Sequence, residues 1–407
     1  MKKLYTKYID SFRGLSTEVW WLSLITLVNR TGTMVIPFLS LYLTEDQGLS
    51  LSQVGIIMSC FGLGSVVGSW LGGKLTDAIG YYKVMWGSLF FSGILFIALQ
   101  YIDGFAGLCL GVFSLLVVAD TFRPATFVAL SAYSKPENRT RSVSLIRMAI
   151  NLGFSAGPAL AGIIIETSGY SSLFWIDGGS CIAAAFLLML FLHPKKAKAT
   201  ETYINPNPKS VYTDLPYWVF FAAMALFAFC FVQYFSTVPL YYHQDRDLSE
   251  FTIGILLGMS GFLIFVFEMP LVKYLEKWTW TKTSHVMTGF ALTAFSFLVL
   301  NLGGWIGMVA IGLILMAFGE MIAFPFSNAF AMDRANRGKQ GEYMALYTIS
   351  FSLAHVFAHN FGTWSADKFG WFTTWNIITG VCIIAFLLLL WLQHLLNSEK
   401  TQKSVSP

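Results

Sequence analysis

The sequence predicts an all-α membrane protein of twelve transmembrane helices arranged as two six-helix repeats, and three observations carry that prediction. Of its 407 residues, 56% are hydrophobic, 16% aromatic and 12% charged, with a mean hydropathy of +0.62; a soluble domain this apolar would aggregate. Apolar runs of about 20 residues, the length a helix needs to cross the hydrocarbon core of a bilayer, recur along the chain. The stretch Leu41-Tyr-Leu-Thr-Glu-Asp-Gln-Gly-Leu-Ser-Leu-Ser-Gln-Val-Gly55 returns as Leu240-Tyr-Tyr-His-Gln-Asp-Arg-Asp-Leu-Ser-Glu-Phe-Thr-Ile-Gly254, so the set of spans is built twice.

The spans fall near 19–43, 51–75, 84–101, 104–130, 142–166, 171–192, 215–242, 250–274, 284–302, 304–330, 341–366 and 371–396. A closed β-barrel also satisfies its backbone in lipid, but its strands alternate apolar and polar residues, whereas Ala183–Leu192 is apolar all round. Basic residues set the orientation, because Lys and Arg mark cytoplasmic loops. Of the 26, 21 lie at the termini or in the loops of one side, only Arg246 and Lys368 lie on the other, and Arg30, Arg123 and Arg147 lie inside spans. Both termini are therefore expected in the cytoplasm. Membrane orientation accounts for the basic pI, which gives no support to nucleic-acid binding. The first eighteen residues lack the short apolar core and cleavage site of a secretory signal, so span one directs insertion. The five cysteines fall on separate spans as small apolar residues, with no disulfide expected. The polar stretch around residues 193–213, with Pro194, Lys195, Lys196, Lys198, Pro206 and Pro208, reads as a cytoplasmic linker between bundles at 1–192 and 214–407.

Taken in chain order, span one carries Asn29-Arg30-Thr31. Span two carries a ladder of Gly64, Gly68 and Gly72, which reads as helix packing and not as a nucleotide loop, because no strand precedes it. Beyond it comes Gly73-Lys-Leu-Thr-Asp77-Ala-Ile-Gly80-Tyr-Tyr-Lys83, matched in the second half by Val272-Lys-Tyr-Leu-Glu276-Lys-Trp-Thr-Trp-Thr-Lys282. Pro124 in span four has its counterpart in Pro325 of span ten. Span five holds Asn151-Leu-Gly153-Phe-Ser-Ala-Gly157-Pro158-Ala-Leu-Ala-Gly162, where small residues one turn apart let backbones approach and Pro158 permits a bend.

These residues resemble the major facilitator superfamily, over essentially the whole chain. Gly73 to Lys83 is similar to its loop signature Gly-x-x-x-Asp-Arg-x-Gly-Arg-Lys/Arg, with Ala78 and Tyr81 where the first two arginines stand. That departure leaves Asp77 to accept backbone N–H groups from a neighbouring helix N-terminus. Span five resembles the antiporter signature Gly-x-x-x-Gly-Pro-x-x-Gly-Gly, with Ala161 replacing one glycine. The resemblance implies a secondary transporter of the drug:proton antiporter branch in which residues 1–192 rock against 214–396 around a central site.

Ionisable groups inside spans cost a few kcal/mol or more unless they pair or line water, so each is a candidate functional residue. Asp120 and Arg123, three residues apart, share a helix face, and Arg30 meets them from span one. Asp177 lies in span six. Removal from water penalises a charged carboxylate, which suits it to take up and release a proton. Glu320 in Phe318-Gly-Glu320-Met-Ile-Ala-Phe-Pro325, with no basic residue within one turn in sequence, is the first choice as proton carrier, followed by Glu268 and Asp120. Arg30, Asn29, Arg123, Asn151, Tyr347, His355 and His359 are the candidate substrate-site residues, and Gly73, Asp77, Gly80, Gly153, Gly157 and Pro158 the conformational motifs. His355 and His359 stand at i, i+4 as two metal ligands would, but the glutamate of the zinc-protease motif is absent, position 356 being Val, so no metal is expected.

The expected function is proton-coupled export of small amphipathic, drug-like or peptide-like compounds, without cofactor, by a monomer in the cell (inner) membrane. Three readings stay open beside it. One is a proton-coupled peptide importer, although Asn29 stands where such importers carry a glutamate. The others are a lipid or glycolipid flippase on the same fold, and a membrane sensor or intramembrane enzyme, for which no Gly-x-Ser-x-Gly, His-Glu-x-x-His or paired Asp dyad is present.

Overall fold

Where lipid supplies no hydrogen bonds, a spanning chain must satisfy its backbone internally, and this chain does so with helices throughout. The computed structural model describes residues 8–195, 210–248, 250–302 and 305–405, among which no strand occurs. In chain order the helices are α1 (Thr17–Thr31), α2 (Val35–Leu41), α3 (Leu51–Ile79), α4 (Tyr81–Leu99), α5 (Phe105–Ala119), α6 (Phe122–Tyr133), α7 (Arg139–Ser168) and α8 (Ser171–Phe191). After the linker come α9 (Leu215–Gln244), α10 (Glu250–Leu275), α11 (Lys282–Leu300), α12 (Ile306–Ala335) and α13 (Gln340–Val405), the last broken at Gly370, where φ is 78°.

Their ends follow capping rules. Ser16 accepts the Val19 N–H to open α1, and Ser50 and Gln53 form a reciprocal capping box at α3. Between α3 and α4 the chain turns at Gly80, whose φ of 89° an L side chain rarely adopts.

Nine helical segments among the described residues are long and apolar enough to cross a membrane. The expected spans one, five and eleven are not among them. Span one is split into α1 and α2, with a π-helical turn at Tyr42–Asp46 after it. Span five is the 30-residue α7, which carries Arg139, Arg141, Arg147, Asn151 and Glu166. Span eleven is the polar first stretch of α13, with its Ser, Thr and His residues.

The chain divides into two compact units, Met1–Pro206 with Met332–Ile349, and Asn207–Ala331 with Ser350–Pro407. The end of α12 and the start of α13 thus belong with the first unit. In that unit, α3 lies against α5 at backbone distance: a Cβ on Gly64, Gly68 or Gly72 would come within 2.6 Å of Phe113 O, Val117 O or Thr121 Cα. In the second unit, buried Tyr234, Tyr241, Tyr242, Phe297 and Trp375 build an aromatic core.

Candidate functional site

The first span breaks because three features converge at Gly32–Met34. Gly32 is the C-cap of α1, and a Cβ there would fall inside the Ser180 side chain on α8. Asp177, one turn earlier on α8 and fully buried, accepts the Met34 N–H at 2.9 Å and the Val35 N–H at 2.8 Å. A carboxylate is thereby placed at the N-terminus of α2, where orphan N–H groups and the helix dipole favour negative charge. Asp177 stands out in the sequence only as an intramembrane charge; its partners are backbone groups 142 and 143 residues away, which no spacing rule exposes.

Just before this break sits Arg30, in the last turn of α1. Gly153 on α7 lies beneath it, so that a Cβ there would be 2.6 Å from Arg30 Cβ and 2.9 Å from its carbonyl carbon. Gly157 continues the contact, its added Cβ 3.3 Å from Thr31 O. The antiporter-like glycines therefore seat α7 against the broken part of span one, while the Pro158 side chain lies outside the described residues. The Arg30 guanidinium lies 5.6 Å from the centre of the exposed Phe154 ring. Its Nε is enclosed and meets no hydrogen-bond partner among the described residues. Arg123 and Asp120 are its charged neighbours.

Asp120 and Arg123 lie on either side of a short irregularity within the helical segment Phe105–Tyr133. Asp120 is the C-cap of α5 and α6 begins at Phe122. Pro124 cannot donate to the Asp120 carbonyl. Beside the break, Ser88 Oγ donates to Val118 O at 2.8 Å and Thr121 Oγ1 donates to the same carbonyl at 2.8 Å. Across the break Arg123 Nε still comes within 4.0 Å of Asp120 Oδ1. The direct hydrogen-bond donor to Asp120 is Ser65 Oγ on α3, a partner the sequence reading missed.

The loop signature forms a second arrangement in the same unit. Asp77 accepts the Gly341 N–H at 2.7 Å and the Glu342 N–H at 2.9 Å, at the first turn of α13. Gly73 and Gly341 make this approach possible, since a Cβ on Gly341 would come 2.9 Å from the Asp77 carboxyl carbon. Buried Glu342 is held by Lys74 Nζ at 2.7 Å and Lys339 Nζ at 3.5 Å. Tyr81, standing where the signature has arginine, binds the start of the linker: its hydroxyl donates to Lys195 O at 2.7 Å and accepts the Lys195 N–H at 2.8 Å. Tyr133 donates to His193 O at 2.8 Å. Lys195 Nζ pairs with Glu18, and that hydrogen bond holds the Glu18 carboxyl below the usual carboxylate range.

In the second unit Glu320 on α12 and Glu268 on α10 are 4% and 0% exposed. One turn beyond Glu320, Phe324 meets Phe231 at 4.9 Å, Phe351 at 5.2 Å and Phe227 at 5.5 Å. Asn29 Nδ2 donates to Cys181 Sγ at 3.2 Å. Asn151 is half-buried on α7, Tyr347 is buried with its ring edge-on to Phe127 at 5.9 Å, and His355 is exposed. The His359 side chain lies outside the described residues. No group of three metal-ligating side chains occurs among the described residues.

The sequence profile described as the Major Facilitator Superfamily matches residues 22–359. The uncharacterized MFS-type transporter YqjV of Bacillus subtilis (strain 168) is 23% identical over 406 residues, covering 94% of this chain and 95% of that one. Quinolone resistance protein NorA of Staphylococcus aureus (strain MRSA252) is 24% identical over 312 residues, covering 75% of this chain and 78% of its own. The crystal structure of the human organic anion transporter MFSD10 (TETRAN) aligns with a TM-score of 0.73 at 16% identity, over 91% of this chain and 98% of that chain.

Proposed function

The chain belongs to the major facilitator superfamily, which makes it an integral, multi-pass membrane transporter and not an enzyme, and on that premise we propose that it exports small amphipathic compounds in exchange for protons by alternating access. The observation that carries proton coupling is the burial of the Glu320 carboxylate inside α12, beside the Phe324 aromatic cluster. A carboxylate held inside a span can take up and release a proton, and a protonation that favours one of two conformations converts a proton gradient into directed movement of solute. Glu268 and Asp120 are the secondary carriers in this reading. Export draws support from the glycines of α7 pressed on the first span and from the similarity to a quinolone resistance protein. The proposal places both termini in the cytoplasm, the protein in the cell membrane, and the working unit as a monomer.

The test is flux in proteoliposomes with an imposed pH difference and no other gradient. Accumulation of substrate against its concentration gradient supports the reading, whereas flux that ignores the pH difference removes the proton from the mechanism.

A further inference from the structure

The charges around Arg30 do not balance. Two guanidinium groups, Arg30 and Arg123, face one carboxylate, Asp120, which also receives the Ser65 hydroxyl and has Arg123 at 4.0 Å. No ion pair reaches Arg30 among the described residues, and its enclosed Nε finds no acceptor. A cation left in that condition within a span is costly, yet the chain fixes it there. Gly153 leaves no room for the Arg30 backbone to shift, and the capped break at Gly32–Met34 holds the next turn. The Phe154 ring, exposed and 5.6 Å from the guanidinium carbon, adds an apolar face beside the charge. A planar guanidinium with unused donors matches a planar oxyanion, and the ring matches an aromatic or aliphatic body attached to it.

We propose that Arg30, with Arg123 nearby and Phe154 alongside, is the binding point for the anionic group of an amphipathic organic anion, so that the substrate class is a carboxylate or sulfonate on an apolar body. This deepens the transport reading and rests on it only in taking the cluster as the substrate site. A cationic amphiphile would meet two positive charges there, and a neutral one would leave Arg30 without a counterion.

The experiment uses the full chain in lipid nanodiscs, with no pH gradient, and three probes sharing one aromatic body: 2-naphthoate, 2-naphthamide and 2-naphthylmethylammonium. Binding is read by energy transfer from tryptophan. The wild type should bind naphthoate about 10-fold or more tighter than either other probe, the scale of a charge-assisted hydrogen bond. Arg30→Gln should erase that preference while leaving naphthamide affinity within about 2-fold, and Arg30→Lys should restore part of it. If Arg30→Gln fails to give a monodisperse protein, Arg30→Lys and Phe154→Ala carry the test: the first should lower naphthoate affinity selectively, the second should weaken both naphthoate and naphthamide. Equal binding of the three probes, preference for the ammonium, absence of naphthoate binding, or an anion preference that survives Arg30→Gln overturns the proposal. Flux coupled to pH without anion preference would sink this inference and spare proton-driven export; anion preference without coupled flux would do the reverse.

Discussion

A Cβ placed on Gly32 would occupy the space of Ser180 Oγ and Cβ, so α1 and α8 meet there only because a methyl is missing. Gly32→Ala should destabilise the first unit by about 1–3 kcal/mol, the usual cost of overpacking. Adding Ser180→Gly should recover most of that loss, because the two sites share one contact and their effects cannot be additive. Thermal unfolding of the purified single and double variants checks this, and a double variant no more stable than Gly32→Ala alone would refute the steric account. Glu320 bears a different kind of prediction. Glu320→Gln copies the protonated carboxyl but cannot release a proton, so substrate binding and solute exchange should persist while accumulation driven by a pH difference is lost. If the variant still concentrates substrate under a pH difference alone, Glu320 is not the carrier. Both Glu320 and Arg30 were legible in the sequence, since an ionisable side chain in an apolar run stands out by its cost. Ser180, Ser65 and the acceptor role of Asp177 were not, because small polar residues are ordinary in such helices and their partners lie far away along the chain.

Among the elements, hydropathy located the long helices but not their interruptions. The breaks in spans one and four turn on Thr31-Gly-Thr33 and Pro124, and a proline or glycine in a membrane helix is also compatible with an unbroken one, since neighbouring hydroxyls can take up the freed backbone groups. In span four the Ser88 and Thr121 hydroxyls both donate to Val118 O beside the break. The Tyr81 substitution, legible as a departure from the loop signature, acquires a role only in three dimensions, where it fastens the first residues of the linker to α4. Tyr81→Phe removes both hydrogen bonds to Lys195. At about 1 kcal/mol for each neutral bond, about 2 kcal/mol in all, local opening there should rise roughly 30-fold, and trypsin should cut after Lys195 correspondingly faster. The test compares cleavage rates of wild type and Tyr81→Phe in nanodiscs; equal rates would mean that the linker is held by other contacts. The Glu18–Lys195 pair adds less, with side chains 28% and 51% exposed. Because Glu18 is held below the usual carboxylate range, its contribution is present at neutral pH and fades as the pH falls into the acid range.

For the whole molecule, the doubled Leu41–Gly55 and Leu240–Gly254 stretches announced two halves, and the chain divides into two compact units. What the repeat did not announce is that Met332–Ile349 joins the first unit, an assignment made by Asp77, Lys74 and Arg139 reaching Gly341, Glu342 and Asp333. Those are side-chain partnerships more than 190 residues apart, invisible to a window moving along the sequence. Orientation, by contrast, is a property of the sequence, because translocation is resisted by loop Lys and Arg wherever the helices later settle. With 21 of these residues assigned to one side and two to the other, Asp46 and Asp103 should face the outside and Lys277 the cytoplasm. Single cysteines at these three exposed positions, in a variant lacking Cys60, Cys109, Cys181, Cys230 and Cys382, would be challenged with a membrane-impermeant maleimide on intact cells. Asp46→Cys and Asp103→Cys should react at once, and Lys277→Cys only after permeabilisation. The first two positions flank α3 and α4, so their common side requires an even number of crossings between them, and a difference between them would break the span count. Reaction of Lys277→Cys alone would invert the protein and move the linker and both termini to the outside.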